Sequence, residues 1–277
     1  MEIILSVSNL NQVGLDVDSF LLGTVFGVRN EVFSLEEIAK TIEKTDKPVY
    51  VNMDKIIHED ELESCEKFIN ELSKLDIAGI YYSDMAVYEI AKLYNLLDKL
   101  VLNQHTLITS TDDCRFYLDL GIRRVCLARE LTFEEIIEFK KQCSDIEIII
   151  HGYLNMFYSK RKTLTNYSNN YKLDNEKKGY LREEIRDEFY PVVEDSTGTH
   201  IFQDKILNSF NELENFSDIS CRIDSFLLDS KYVEYVVDIY NELRKDFNSE
   251  NALRKYKEKY SNLSSGFYYK KSTYMKK

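Results

Sequence analysis

The alternation of strand-like and helix-like segments is the feature that most restricts the fold of this chain. Short apolar runs with many β-branched residues recur with a spacing of roughly 25 to 30 residues, and helical periodicity lies between them. Eight runs predict strands, at residues 3–6, 19–22, 48–51, 79–82, 99–102, 124–127, 146–150 and 220–224. Eight strands alternating with helices predict an α/β fold, a closed (β/α)8 TIM-type barrel rather than an open doubly wound sheet. No G-x-G-x-x-G follows any of the strands, which further disfavours a dinucleotide-binding fold.

Local capping signals support several of the helices. Ser34 with Glu37, and Thr132 with Glu135, have the spacing of a capping box, in which each side chain satisfies a backbone amide of the first turn. Asp84 follows the fourth strand and can cap the next helix. The first βα unit is short, so its crossover helix is expected to have only one or two turns.

The stretch between the seventh and eighth strands, about seventy residues long, is too long for a simple loop. We predict that residues 152–205 form an insertion between strands 7 and 8, lying as a lid over the carboxyl-end face. Within it we expect a mobile Asn- and Tyr-rich segment at 166–178 and short antiparallel strands at 182–187, 190–193 and 199–202. We assign residues 1–250 to a single barrel domain, and residues 251–277 to a basic aromatic tail.

Composition narrows the class of protein. The net charge of −12 disfavours non-specific nucleic-acid binding by the whole surface, although residues 254–277 hold eight Lys and Arg against one acid. The five cysteines form no C-x-x-C pair, which argues against a disulfide framework and a local zinc site. No apolar run approaches the roughly 18 residues of a membrane span, and the N-terminal residues lack a basic signal region, so we expect a cytoplasmic protein with no membrane partner.

Chemistry in such barrels gathers at the carboxyl ends of the strands. Here those ends carry polar or charged side chains: Arg29, Asn52, Asp84, Gln104, Arg129, Glu130, His151, Arg222 and Asp224. Several arginines in one cleft favour a substrate with carboxylates or phosphates. His151 and Glu130 are candidates for proton transfer because an imidazole and a partly desolvated carboxylate can both titrate near neutral pH. For Asp84, a structural role as a helix cap is the alternative.

Hydrolase motifs are weak in this sequence. There is no H-E-x-x-H, no G-x-S-x-G and no cysteine in a nucleophile context. Ser159 lies eight residues from His151, but the spacing alone does not pair them.

The segment from His151 to Tyr167 nevertheless resembles a known signature. His151-Gly152, Tyr158-Ser159-x-Arg161 and Leu164-Thr165-Asn166-Tyr167 are similar to the signature of peptidase family U32, the collagenase-like putative proteases. The similarity extends over nearly the whole chain. Longer members of that family carry cysteines that hold an iron–sulfur cluster, and the corresponding positions here are Asn155, Lys162 and Asn208. Neither Asn nor Lys replaces a thiolate ligand, so we expect no such cluster and no other metal.

The resemblance implies either of two activities. Some members of the family are named for proteolysis, and others take part in RNA hydroxylation. We favour prephenate-dependent 5-hydroxylation of the tRNA wobble uridine, with prephenate as co-substrate and a longer paralogue as partner. In that hypothesis His151, Glu130 and Asp224 are catalytic, and the residues that bind tRNA or a small carboxylate substrate are Arg29, Asn52, Asp84, Gln104, Arg129, Ser159, Arg161, Asn166, Arg182 and Arg222. The alternatives are a peptidase, with a divalent metal held by Asp84, Glu130, His151 or Asp224, and a non-catalytic barrel that scaffolds a paralogue.

Overall fold

A closed barrel of eight parallel strands forms the centre of the computed structural model, which describes residues 1–185 and 187–270. The strands are β1 (Glu2–Val7), β2 (Ser19–Gly23), β3 (Val49–Met53), β4 (Gly79–Tyr82), β5 (Leu100–Leu102), β6 (Arg124–Cys126), β7 (Ile146–Ser159), β8 (Lys178–Leu181), β9 (Tyr190–Glu194), β10 (Thr199–Asn208), β11 (Ser220–Asp224) and β12 (Leu263–Ser264). Strands β1 to β7 pair in sequence, and β11 closes the barrel by pairing in parallel with both β7 and β1. The predicted (β/α)8 fold is confirmed.

Helices alternate with the strands on the outside of the barrel. Those in the described residues are α1 (Leu35–Lys44), α2 (Leu62–Leu72), α3 (Met85–Leu93), α4 (Thr111–Asp119), α5 (Phe133–Gln142), α6 (Thr163–Tyr171), α7 (Ser230–Asp246) and α8 (Ser249–Lys257). A single 3-10 helix, Leu10–Gly14, connects β1 to β2. This agrees with the prediction that the crossover helix of the first βα unit has only one or two turns. None of these helices is long and apolar enough to cross a membrane.

The predicted caps begin their helices. The hydroxyl of Ser34 accepts a hydrogen bond from the Glu37 amide at 3.2 Å, and the Glu37 carboxylate accepts one from the Ser34 amide at 2.8 Å. Thr132 and Glu135 form the same reciprocal pair. Asp84 accepts from the Ala86 amide at 2.9 Å, and so the carboxylate caps α3.

The apolar core has two layers. The larger lies between the outer face of the barrel and the helices. The smaller fills the barrel interior with Ile4, Leu21, Tyr50, Tyr81, Val101 and Cys126. Beside it, the fully buried carboxylate of Glu147 accepts hydrogen bonds from Tyr81 and Arg124. A charged network therefore replaces part of the apolar filling expected inside such a barrel.

Strand β7 extends far beyond the barrel. The expectation that it ends at Ile150 is wrong, because its backbone continues to Ser159 by pairing antiparallel with β10. Strands β9 and β10 lie where the sequence predicts, β8 lies just before the predicted 182–187, and β8 to β10 continue the antiparallel sheet. The segment expected to be mobile at 166–178 contains most of α6. The insertion is therefore a small sheet carrying one helix.

The residues predicted as a C-terminal tail pack on the barrel as far as Lys270. Ala252 and Tyr256 of α8 are buried, and so is Tyr268. Strand β12 pairs with β10, and the Tyr268 carbonyl accepts a hydrogen bond from the Phe133 amide at 2.9 Å. Burial of the aromatic side chains anchors this segment, so the expectation of a separate tail is wrong for residues 251–270. Residues 271–277 lie outside the described residues.

Candidate functional site at the mouth of the barrel

A cavity of about 370 Å3 opens at the carboxyl ends of the barrel strands. The loops after β2, β3, β4 and β5 form one side of it, and the extension of β7 forms the other. Its lining includes Arg29, Asp54, Ser83, Gln104, His105, Met156, Phe157 and Tyr158. The long seventh strand thus makes the insertion one wall of the mouth.

Asp54 is the buried carboxylate on which this cavity is organised. Its Oδ1 accepts the Val28 amide at 2.9 Å, and its Oδ2 accepts the Asn103 side-chain amide at 3.0 Å. The same Oδ2 lies 2.9 Å from His105 Nε2 and 3.3 Å from Arg29 Nη2. Burial raises the pKa of Asp54, but its contacts with His105, Arg29 and the Val28 amide outweigh burial and hold the pKa well below its usual range. Asp54 is therefore ionised at neutral pH.

His105 is the imidazole that faces the cavity. Burial, and then the charges of Arg29 and Arg129, lower its pKa well below the usual value, so the ring is neutral at pH 7. In one tautomer Nε2–H donates to Asp54 and Nδ1 accepts from Nη2 of Arg129, while Nη2 of Arg29 also contacts the ring. Asp54 and Arg129 thus fix the orientation of the ring from its two sides.

Two of the cavity residues have left-handed backbone. The φ angles are +52° at Arg29 and +64° at His105. Non-glycine residues seldom adopt this region, and such strain concentrates at binding and catalytic sites because the surrounding contacts hold it. The bonds to Asp54 are the contacts that hold both residues here.

Two further arginines support the residues that line the cavity: Arg129 contacts His105, and Arg222 contacts Asn103. Desolvation, together with the charge of Arg29, lowers the pKa of Arg129 to about 9. Arg222 is buried, with Nη2 donating to Asn103 Oδ1 at 3.4 Å and Nη1 at 3.4 Å from Glu147. The buried Nε atoms of both arginines have no hydrogen-bond partner among the described residues. Buried donors of this kind are favourable contacts for an anion that enters the mouth.

Asp224 balances part of this positive charge. Its carboxylate raises the pKa of both Arg29 and Arg129, although burial keeps both below the usual arginine value. Gly152, with φ of +134°, approaches the Asp224 backbone so closely that a Cβ there would lie 2.5 Å from its carbonyl oxygen. The glycine after His151 therefore allows β7 to pass beside β11 at the mouth.

His151 does not lie at the mouth, and this placement corrects the prediction from the sequence. Arg222 pairs with Ile149 and the next residue, Ile223, pairs with His151, so β7 contains one extra residue at this point. Such a bulge reverses the side on which the following side chain lies. His151 is fully buried against α7, with Nε2 2.9 Å from the Tyr232 hydroxyl, and burial lowers its pKa to about 3.

The other strand-end candidates divide between the mouth and structural positions. Gln104 lines the cavity, and its Oε1 is buried without a hydrogen-bond partner among the described residues. Asn52 is buried and donates to Asn30 at 2.9 Å, so it supports the β2–α1 loop. Asp84 accepts amides at the start of α3 and from Ile57, which is the structural role left open above. Glu130 is exposed.

Four predicted binding residues of the insertion lie outside the cavity lining, although Tyr158 of the signature is part of it. Ser159 accepts a hydrogen bond from the Arg161 amide at 3.2 Å. Arg161 and Asn166 are exposed on and beside α6, and Arg182 pairs with Asp187 at 2.9 Å. None of these four residues lines the cavity with Arg29 and His105.

The positions at which longer family members carry cluster cysteines do not fit an iron–sulfur group here. Asn155 donates to the carbonyls of Phe157 and Ile201, at 2.9 and 3.0 Å. Lys162 donates to the Asp195 carbonyl, and Asn208 donates to the Ser264 carbonyl at 3.0 Å. Each side chain ties a different pair of backbone segments and offers no thiolate. Across residues 1–185 and 187–270, no three His, Cys, Asp or Glu side chains are grouped to hold a metal ion.

Reasoning from the sequence missed Asp54 and His105, and it did not assign Tyr158 of the signature segment to the mouth. Asp54 follows Asn52 by two positions and His105 follows Gln104 directly, so both were close to recognised strand ends. The scarcity of histidine, four in the whole chain, was a signal that could have drawn attention to His105.

The mouth is suited to holding a small anion beside a neutral imidazole. Guanidinium groups supply paired donors for a carboxylate or phosphate, and the fixed ring supplies a hydrogen-bonding edge. The Ser83 hydroxyl, the serine of this cavity, donates to the Asp54 carbonyl at 2.8 Å. That bond places its proton away from His105, unlike a serine–histidine nucleophile.

Comparison with known proteins supports one family for this chain. A tRNA hydroxylation protein P2 of Bacillus subtilis (strain 168) is 32% identical over 221 residues, 75% of this chain and 71% of that protein. A tRNA hydroxylation protein P1 of the same organism is 29% identical over 53% of this chain and 36% of its own length. A 23S rRNA 5-hydroxycytidine C2501 synthase of Escherichia coli (strain K12) is 29% identical over 50% of this chain and 22% of its own length. The matched region is thus about a third or less of the two longer proteins.

The family model described as peptidase family U32 matches residues 12–276, which include all the residues of the mouth. The resemblance of the His151–Tyr167 segment is thereby confirmed, and the chain belongs to peptidase family U32.

Proposed function

We propose that this protein takes part in prephenate-dependent 5-hydroxylation of the tRNA wobble uridine, together with a longer paralogue, and that the mouth binds the carboxylate co-substrate. The observation that carries this proposal is a cavity of about 370 Å3 lined by Arg29 and a neutral His105, with Arg129 in contact with that imidazole and Arg222 in contact with Asn103. A cavity of this size suits a small molecule rather than a polypeptide.

The electrostatics support an anionic ligand. Burial is the main cause of the lowered pKa values of Arg29 and Arg129. The charge of Arg222 lowers both pKa values further, and together these effects outweigh the attraction of Asp54 and Asp224. A bound carboxylate would favour the charged guanidinium groups and accept from the unpaired Nε of Arg129. Prephenate, with two carboxylates, has this chemistry.

The relatives support the reaction class. Two of them are named as tRNA hydroxylation proteins and a third as an rRNA hydroxycytidine synthase, which share hydroxylation of an RNA base. The P1 and P2 names in one organism also support a pair of paralogues, of which this chain would be the shorter type.

Within the proposal, His105 replaces His151 as the histidine that meets the ligand. Its ring edge lies in the cavity, whereas His151 is enclosed by α7. Arg29 and Arg129 bind the carboxylate, and Asp54 orients the imidazole. Arg222 donates to Asn103, which in turn donates to Asp54, so Arg222 supports the position of Asp54.

The test is mass spectrometry of tRNA nucleosides from cells that lack this gene and its longer paralogue, singly and together. Restoring both genes should restore 5-hydroxyuridine, and restoring the pair with His105→Gln should not. His58→Gln is the matched control, since His58 is exposed and its hydrogen bond to Glu61 uses the backbone amide.

Each alternative has its own outcome. Wobble-uridine hydroxylation that persists without this gene contradicts the proposal. Hydroxylation that needs the gene but tolerates His105→Gln assigns the chain to the scaffold class. Turnover of gelatin by the purified protein, abolished by His105→Gln, assigns it to the peptidases.

A further inference from the structure

The insertion concentrates positive charge on a protein that is acidic as a whole. Residues 151–182 contain seven Lys and Arg and only two acids, Asp174 and Glu176, whereas the chain has a net charge of −12. The following residues, 183–188, are rich in Glu and Asp, and the positive charge of the insertion lies in the segments on either side of α6. A local basic patch on an acidic protein indicates a specific anionic partner rather than general attraction.

Several of these cations are unpaired. Within the described residues, Arg161, Lys172 and Lys178 belong to no ion pair, and all three are exposed. By contrast, many exposed lysines on the barrel helices are neutralised by a neighbouring acid, as Lys67 is by Glu63. Exposed cations without an ion pair among the described residues also occur on the barrel helices, as at Lys92 of α3, but three of them lie within residues 161–178 of the insertion.

Exposed aromatic rings lie among these cations. Tyr167 and Tyr171, one turn apart on α6, are 57% and 61% exposed, with ring centroids 4.7 Å apart. Tyr180 on β8 and Phe157 on β7 are also exposed. Water-exposed aromatic faces next to unpaired cations are the combination with which proteins bind unpaired nucleic-acid bases and their phosphates.

We propose that this surface, consisting of Arg161, Tyr167, Tyr171, Lys172 and Lys178, binds the single-stranded loop of an RNA, with bases stacked on the two tyrosines and phosphates at the cations. The inference rests on the proposed function in supplying RNA as the partner. It goes beyond that function by naming the surface that holds the RNA and the mode of contact.

The position of the surface agrees with delivery of a base to the mouth. Tyr158 lines the cavity and lies three residues before Arg161, a reach of about 10 Å in extended chain. The nine residues of α6 add about 13 Å. Nucleotides stacked on α6 would therefore be only a few positions from a base presented at the cavity.

A protein partner is the competing occupant, and the charge disfavours it. Protein interfaces are depleted in lysine at their centres, whereas unpaired lysines flank the tyrosine pair here. Exchange of tyrosine for leucine separates the two partners: it preserves an apolar contact with a protein but removes the flat ring on which a base stacks.

The experiment measures binding of a fluorescein-labelled anticodon stem-loop RNA to the full chain by fluorescence anisotropy at several salt concentrations. Tyr167→Leu/Tyr171→Leu should weaken binding at least about tenfold. Arg161→Ala/Lys172→Ala should reduce the slope of log K against log salt by about 1 to 2. Arg115→Ala and Phe116→Leu, an exposed cation and an exposed aromatic on α4, are the matched controls and should change neither quantity.

Circular dichroism verifies that each variant is folded. Unaltered affinity and salt slope in both double variants would overturn the inference, as would loss of binding to the longer paralogue with RNA binding unchanged. These outcomes are independent of the deletion experiment above: if hydroxylation requires the gene but the surface variants bind RNA normally, this inference fails and the proposed function stands.

Discussion

His105 Nε2 lies 2.9 Å from Oδ2 of Asp54, and this contact joins the loops after β5 and β3 across the mouth of the barrel. The same carboxylate holds Arg29 and the Val28 amide, so one buried charge in the loop after β3 satisfies groups from two other loops. The arrangement of the cavity therefore depends on Asp54 more than on any of the arginines that it orients.

Asp54→Asn should destabilise the protein by about 3 kcal/mol, because it leaves the buried charge of Arg29 without its partner. Since the folded-state pKa of Asp54 lies below its unfolded value, its stabilisation is fully present above about pH 4 and is lost only as the pH falls through the folded value. Urea unfolding at pH 7 and pH 5 should thus give the same loss.

Asp119→Asn is the control for that variant, since Asp119 is exposed at the end of α4, and it should change stability by less than about 0.5 kcal/mol. Equal stabilities of the Asp54→Asn variant and the wild type would show that Asp54 is not the organising charge.

The buried position of His151 predicts a pH dependence of stability. Burial lowers its pKa to about 3, so between about pH 6.5 and 3 the unfolded chain binds a proton that the folded chain does not. Stability should therefore fall as the pH decreases, by about 1.4 kcal/mol per pH unit for this one group below pH 6.5.

His151→Gln removes that titration and should reduce the slope between pH 6.5 and 5 by about one proton. His105 contributes a second proton with the same sign, so the variant keeps part of the slope. Chemical denaturation at several pH values measures it, with His58→Gln as the exposed control. An undiminished slope in His151→Gln would contradict the buried, neutral state of His151.

The barrel itself could be predicted from the sequence because its determinants are local. Strand periodicity, the capping residues Ser34 and Thr132, and the cap Asp84 each act within a few residues, and the structure contains them as expected. The antiparallel hairpin around residues 195–198 was recognisable for the same reason.

Prediction from the sequence failed for the side of the barrel on which a strand-end side chain lies. That side depends on pairing between strands that are distant in the sequence. The extra residue in β7 that turns His151 away from the mouth is defined only by its pairing with β11. The left-handed backbone at His105 likewise directs the imidazole into the cavity, while the pattern had indicated Gln104 next to it. The packing of Tyr268 on the barrel also depends on partners far away in sequence, such as Ser209.

Below the mouth, Glu147 connects the barrel interior to the site. Its carboxylate is fully buried and accepts hydrogen bonds from Tyr81 and from Arg124 at 3.2 Å, with Arg222 at 3.4 Å. Arg222 in turn donates to Asn103, which holds Asp54. A continuous set of polar contacts therefore runs from the core to the cavity.

Glu147→Gln should destabilise the protein by about 3 to 5 kcal/mol, because two guanidinium groups would remain buried with their common counter-charge removed. Glu63→Gln, which removes an exposed partner of Lys67 on α2, should cost less than about 1 kcal/mol in the same urea titrations. Combining Glu147→Gln with Arg222→Met removes both charges of one pair, and the double variant should lose less stability than the sum of the single losses. Strict additivity would mean that the buried charges act independently, and the polar connection between core and mouth would have to be abandoned.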